Sequence, residues 1–150
     1  MKKFVDESCI FCKIIAGDIP CARVYEDERI FAFLDINPIV AGHTLVAFKA
    51  HYPTLLDAPA DEGKALLEAV KKVAGALLGV TKAGGFNCIQ NNFRCAGQTV
   101  FHSHWHIVPR FDNDGLPDWP GGKYDDTSTM QELARVISTH IDSGAAGDSQ

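Results

Sequence analysis

The sequence lacks a basic excess: 14 lysines and arginines stand against 19 aspartates and glutamates, a formal net charge of -5 over 150 residues. A polybasic surface is thereby excluded, and with it bulk binding to nucleic acid or to anionic membranes. A small anionic ligand stays open, because a few local donors suffice to hold one. Long apolar runs are missing too; none approaches the roughly 20 residues of a membrane-spanning helix. The N-terminus, Met1-Lys2-Lys3-Phe4-Val5-Asp6-Glu7, has no apolar signal core, so a cytoplasmic protein is expected. The five cysteines, Cys9, Cys12, Cys21, Cys88 and Cys95, make an odd count. Without an export signal, no disulfide framework is expected, and Cys21, Cys88 and Cys95 read as small packing residues. The length fits one domain, residues 1–150, with an ordinary hydrophobic core.

No repeat or low-complexity linker interrupts the stretch from Cys9 to Arg110. Ile10 to Ile15 reads as a short helix ending at Gly17. Arg23–Glu26 and Ile30–Leu34 flank the turn Asp27-Glu28-Arg29 and predict a hairpin, and His43–Phe48 follows Gly42 as a third strand. The clearest helix runs from about Asp61 to Leu78, with Leu66, Leu67, Val70, Val73, Ala74, Leu77 and Leu78 at helical spacing and Gly79 as its stop. Phe86–Gln90 and Trp105–Val108 predict two more strands. A last helix, 128–143, starts at a Ser128/Gln131 capping box and carries Met130, Leu133, Ala134, Ile137 and Ile141, with Gly144 ending it and a frayed tail beyond. The whole predicts an α+β domain with a mainly antiparallel sheet, one long helix, a short N-terminal helix and a C-terminal helix. Its core spans about 9–110, and 111–150 is an extension. The acidic residues Asp112, Asp114, Asp118, Asp125 and Asp126 read as a solvated loop, and Trp119-Pro120-Gly121-Gly122 could fold over a site mouth.

The chemistry concentrates in His102-Ser103-His104-Trp105-His106. In a strand alternate residues share a face, so the three imidazoles would point one way. Seating three imidazoles side by side without partners is costly, which argues against a bland structural role. Two readings follow. Three imidazoles can bind one catalytic zinc and a water. Alternatively one imidazole is a nucleophile and its neighbours orient it and bind the anion it attacks. The preceding Asn91-Asn92-Phe93-Arg94-Cys95-Ala96-Gly97-Gln98-Thr99 offers amides, a hydroxyl and glycine to cradle phosphate oxygens, and no carboxylate to orient zinc-bound histidines. The nucleophile reading is favoured.

On these residues the sequence resembles the histidine triad (HIT) family, in its HINT-like branch of nucleotide hydrolases and transferases. The anchors are Cys9-Ile10-Phe11-Cys12-Lys13-Ile14-Ile15, Phe33-Leu34-Asp35-Ile36-Asn37-Pro38, Gly42-His43-Thr44-Leu45-Val46 and Gly97-Gln98-Thr99-Val100-Phe101 leading into the triad. Ser103 departs from the pattern, which has an apolar residue there; packing behind the sheet should change and no catalytic group is lost.

The resemblance implies a HIT-like fold and a set of roles. His104 would attack the α-phosphate of a purine nucleotide and form a covalent nucleotidyl-imidazole that water then hydrolyses. His106 would bind a phosphate oxygen, with His102 completing the catalytic triad, and Gln98 and Thr99 would contact the phosphate or leaving group. Asn91 would bind near the α-phosphate, Asp35 would accept from both ribose hydroxyls, and Ile10, Phe11, Ile14, Phe33, Leu34 and Ile36 would form the base slot. Read without the resemblance, that apolar set is core and Asp35 is a strand-end turn residue. Cys9-x-x-Cys12 is a weak signal by itself. Family members with this pair use it, with the positions of His51 and His102, to hold one structural zinc per chain, with no cofactor required for catalysis; His51 instead orients the active site in members lacking the cysteines. His43 and His140 have no partner pattern and read as surface or strand-end residues. A homodimer is implied. The alternatives are a dinucleoside polyphosphate hydrolase and a nucleotide-binding adaptor with incidental turnover.

Overall fold

The structure, a computed structural model, describes residues 5–144. It forms two compact units, Met1–Asp114 and Gly115–Gln150. The first holds helices α1 (Ile10–Ala16) and α2 (Gly63–Thr81) and strands β1 (Arg23–Glu26), β2 (Ile30–Leu34), β3 (Thr44–Phe48), β4 (Gly85–Gln90) and β5 (His104–Arg110). The strands form one antiparallel sheet in the order β1-β2-β3-β5-β4, the α+β arrangement that the element pattern predicts.

Strand alternation divides the core between the two faces of the sheet. Ile30, Ala32, Val46, Phe48 and Ile107 pack against Ala69, Val73, Ala74 and Leu77 of α2. On the other face Phe31, Phe33 and Leu45 meet Cys9, Phe11 and Cys12 of the α1 segment. His104 lies opposite Ala47 and His106 opposite Leu45, so both belong to the α1 face. Gly42 leads into β3 at φ 97°, and a Cβ there would stand 3.2 Å from Leu77 Cδ2 and 3.3 Å from both Pro109 Cγ and Thr81 Cγ2. Only glycine admits both that backbone and that approach.

Several boundaries differ from the expected ones. Helix α2 runs through Gly79 and ends at Lys82, whose left-handed backbone closes it. Its buried stripe is centred on Ala69 and Val73, which leaves Leu67 61% exposed. The second unit contains α3, Thr127–Asp142, capped by the Asp126 carboxylate accepting from the Thr129 N–H rather than by a Ser128/Gln131 box. Asp126 is thus a cap, not a bystander of an acidic loop. Asp114 likewise grips the Arg110 guanidinium at 2.6 Å. Cys88 and Cys95 are exposed and Cys21 half-buried, so two of the three expected packing thiols do not pack. The tail expected after Gly144 lies outside the described residues.

Candidate active site

The candidate site is built where β5 meets the turn that precedes it. Strand β5 begins at His104, so His102 sits in the turn and only His104 and His106 share strand geometry. The hydrogen-bond partners then decide which ring nitrogen carries each proton. His104 Nδ1 is 2.6 Å from the carbonyl oxygen of His102. A carbonyl only accepts, so Nδ1 carries the hydrogen and Nε2 keeps its lone pair. The second chain of bonds starts at Ile39, whose N–H donates to His43 Nδ1 at 3.1 Å. Neutral His43 therefore bears its hydrogen on Nε2, which lies 2.9 Å from His106 Nδ1. His106 accepts there and carries its own hydrogen on Nε2. One free lone pair and one N–H donor result, on rings whose centroids are 5.0 Å apart.

His43, which reads as a surface or strand-end residue without a partner pattern, does stand at the end of β3 but has a partner. It is buried, and although it lies in the Gly42–Val46 anchor, nothing in that motif names its partner. The signal lay in strand pairing: Thr44 opposes Ile107 and Leu45 opposes His106, which brings the residue before Thr44 next to the triad. Burial holds the rings neutral. It pushes His106 down to about 4, with His104 and His43 adding repulsion, and His104 also lies below its ordinary value. Native His106 thus resists a proton that the unfolded chain takes up near pH 6.5. The resulting stability is fully present above about pH 6.5 and is lost as pH falls from there through about 4. Denaturant unfolding at pH 7 and at about pH 4.5 tests this; equal stabilities would reject the neutral buried ring.

The loop at 91–99 is tied down by its own contacts. Gln98 is buried, its Oε1 accepting from the Phe93 N–H at 2.8 Å while its Nε2 donates to the carbonyls of Pro53 and Val100. Its side chain clamps the loop rather than facing outward. The clamp holds Phe93 at φ 68°, ψ 161°, a backbone that favours glycine. Asn91 lies beside Gly97, whose added Cβ would stand 3.6 Å from Asn91 Nδ2, and Thr99 is exposed. Ser103 does more than alter packing. Its Oγ accepts from Gln90 Nε2 at 3.2 Å, Gln90 also bonds Asn92, and Asn92 Oδ1 accepts from the Leu55 N–H.

The apolar set divides. Phe11 and Phe33 are buried in an edge-to-face pair with ring centroids 5.3 Å apart. Ile10, Leu34 and Ile36 are exposed at 48%, 37% and 89%, and Ile14 is partly covered. The exposed members are therefore not core residues. Asp35 follows β2 directly. Its Oδ1 accepts from the Asn37 N–H at 2.9 Å, and its Oδ2 is 3.7 Å from His43 Nε2.

A separate cluster gathers Cys9, Cys12, His51 and His102, their ligand atoms all within 4.8 Å of one another. His102 Nε2 is 2.7 Å from the Phe48 carbonyl and so carries the hydrogen, which leaves its Nδ1 lone pair facing Cys9 Sγ at 3.5 Å and Cys12 Sγ at 3.6 Å. His51 Nδ1 is 3.5 Å from Cys12 Sγ, and its Nε2 lies 3.7 Å from Asp6 Oδ2. Two soft thiols and two imidazoles, each imidazole backed by an oxygen, suit a closed tetrahedral zinc site. The catalytic-zinc reading fares worse, because the free His102 Nδ1 faces the two thiols rather than His104 and His106, and His106 Nδ1 is taken by His43. Asp35, His43 and His106 also gather. There the His43–His106 hydrogen bond already occupies both nitrogens.

An antiparallel sheet with ordered imidazoles on one face and a thiol–imidazole cluster beside them defines a protein of histidine triad architecture. The chain belongs to the HIT domain family, whose model matches residues 16–113. It is 40% identical over 142 residues to an adenosine 5'-monophosphoramidase from Candida albicans, covering 86% of this chain and 93% of the relative. A solved structure from Streptococcus mutans matches with a TM-score of 0.87 at 43% identity, covering 94% of this chain and 89% of that one. A zinc-bound histidine triad family protein from Mycobacterium smegmatis matches with a TM-score of 0.70 at 37% identity, covering 91% and 97%.

Proposed function

We propose that the chain is a nucleotide hydrolase that cleaves the bond between the α-phosphate of a purine nucleotide and its leaving group, with nucleoside phosphoramidates as the leading substrate class. The observation that carries this is the pair of opposed tautomers: a lone pair on His104 Nε2 beside an N–H on His106 Nε2. His104 Nε2 attacks the α-phosphorus while the bond to the leaving group breaks, and the departing amine takes its proton from water. His106 Nε2–H bonds a phosphate oxygen as charge gathers on it. Water then cleaves the nucleotidyl-imidazole, returning His104 with its Nδ1–H still on the His102 carbonyl. Asn91 and Thr99 supply further polar contacts to the phosphate or leaving group, and Gln98 keeps their loop in shape. Asp35 takes the ribose, and Phe11, Ile14, Phe33, Leu34, Ile10 and Ile36 take the base. The similarity to a monophosphoramidase supports the leaving-group assignment. Kinetic constants on a panel of adenosine and guanosine phosphoramidates and dinucleoside polyphosphates test it. Preference for the polyphosphates would favour the alternative hydrolase, and binding without steady-state turnover would favour the adaptor.

Zinc at Cys9, Cys12, His51 and His102 would fasten α1 to the sheet and contributes no group to the reacting phosphate. Chelation is therefore expected to lower the melting temperature by several degrees, because binding free energy at a closed site is folding free energy. Calorimetry with and without chelator checks it, and an unchanged melting point in protein shown to contain zinc would reject the structural site. The chain is further proposed to act as a homodimer. The edge strand β4 exposes Phe86, and α2 exposes Leu67 and Val80, apolar surface of the kind a partner covers. A cytoplasmic location fits the absence, among the described residues, of a helix long and apolar enough to cross a membrane.

A further inference from the structure

Two members of the thiol–imidazole cluster, Cys12 and His102, stand at a group that touches the proposed nucleophile; Cys9 lies two residues before Phe11, and His51 connects through one further peptide. Cys9 and Cys12 flank Phe11, whose ring lies edge-on to the His104 ring at 4.9 Å between centroids and 72°. His51 precedes Tyr52, whose carbonyl accepts from the Ser103 N–H at 2.6 Å. That N–H belongs to the same peptide group as the His102 carbonyl, and this carbonyl holds His104 Nδ1 at 2.6 Å. His102 is thus caught at three points: Nδ1 faces the thiols, Nε2–H donates to Phe48, and its carbonyl accepts from His104. The peptide plane that sets the direction of the His104 ring is tethered at one end through His51 and at the other through His102.

From this juxtaposition we propose that the Cys9–Cys12–His51–His102 cluster aims the nucleophile: with zinc in place it holds His104 in the Nδ1–H form that leaves Nε2 free, and without zinc it lets that ring turn. The physical reason is the contrast in bond strength. Thiol–imidazole contacts of 3.5 and 3.6 Å are weak hydrogen bonds and leave the thiol rotamers free to change. Coordination bonds set both the distance and the direction of four side chains together. Phe11 and the 102–103 peptide would then move as one with the ion. His102 acts here as a positioning residue, and zinc availability becomes a control on turnover without zinc meeting the substrate. The inference rests on His104 being the nucleophile.

The test is nitrogen-15 NMR of histidine-labelled protein at about pH 8, where the rings are neutral, combined with steady-state kinetics. With zinc, His104 should report the Nδ1–H tautomer alone. Chelation should spread it over both tautomers and lower kcat about tenfold, the scale of losing a supporting partner, with KM little changed because Asp35 and the slot still hold the nucleotide. Added zinc should restore both. A folded, chelated protein with the native tautomer and native kcat would overturn the proposal. Should the chelated chain unfold, His51→Cys keeps four zinc ligands but shortens the arm beside Tyr52. Zinc-loaded H51C should still show a mixed His104 tautomer, and a native tautomer there overturns the proposal equally. The tautomer is read without substrate. A wild-type protein that turns over nothing therefore counts against the proposed function and leaves this result standing.

Discussion

His104→Ala is expected to reduce turnover of an adenosine phosphoramidate by roughly a thousandfold or more while nucleotide binding survives. Loss of a covalent nucleophile removes a bond made only on the way over the barrier, so the cost falls on kcat. Binding should persist because Asp35 and the exposed apolar residues beside it are untouched, and none of them hydrogen-bonds to His104. The fold should survive too, since the His104 side chain has one hydrogen bond, to the His102 carbonyl, and ring contacts with Phe11 and His106. Its removal leaves a small cavity and one carbonyl to be met by water, a cost of about 1–3 kcal/mol. Single-turnover kinetics, with a titration of product nucleotide into the same variant, measure the two effects separately. Retention of even a tenth of wild-type turnover would remove His104 from the role. His43→Ala makes a useful contrast: the His106 tautomer loses its director while the lone pair on His104 stays, so a smaller loss is expected.

The sheet and its helices were legible because hydrophobic alternation and turn residues report local geometry directly. Ile30–Leu34 and the Asn37-Pro38 break predict β2 at the bounds it adopts. Helix α2 was misjudged at its end for an instructive reason. Gly79 looks like a stop, yet the helix runs on to Thr81, whose hydroxyl donates to the Leu77 carbonyl at 2.6 Å, and closes where the Lys82 N–H meets the Leu78 carbonyl. The triad was legible from its period-two spacing, and the zinc ligands only from resemblance, since 39 residues separate Cys12 from His51 and 90 separate Cys12 from His102. The pairing of His43 with His106 was not legible, because the two lie 63 residues apart and the β3–β5 pairing that joins them skips over α2 and β4. Gln98 was found by motif but given an outward role. Only the contacts to Phe93, Pro53 and Val100 show that both Nε2 hydrogens are spent on carbonyls within the protein and that Oε1 holds the loop.

Asp35 yields the second large effect. Asp35→Ala is expected to weaken a ribonucleotide by about 1.5–3 kcal/mol, roughly ten- to a hundredfold, the range for hydrogen bonds to a charged acceptor. A ligand lacking both the 2′ and 3′ hydroxyls should lose far less, having no partner to surrender. The structure sharpens the design of the experiment. Asp35 Oδ1 already accepts from the Asn37 N–H, so alanine also loosens the turn that leads to His43, and part of any loss would be indirect. Asp35→Asn retains an oxygen for that N–H and removes only the charge and the second acceptor. If the carboxylate receives the ribose, D35N should reproduce most of the discrimination between the two ligands while D35A adds a loss common to both. If Asp35 serves the turn alone, D35N should bind both ligands as the wild type does, and D35A should weaken the two equally. Calorimetric titration of both ligands into the three proteins decides between these outcomes, and equal losses for the two ligands in both variants would reject the ribose role.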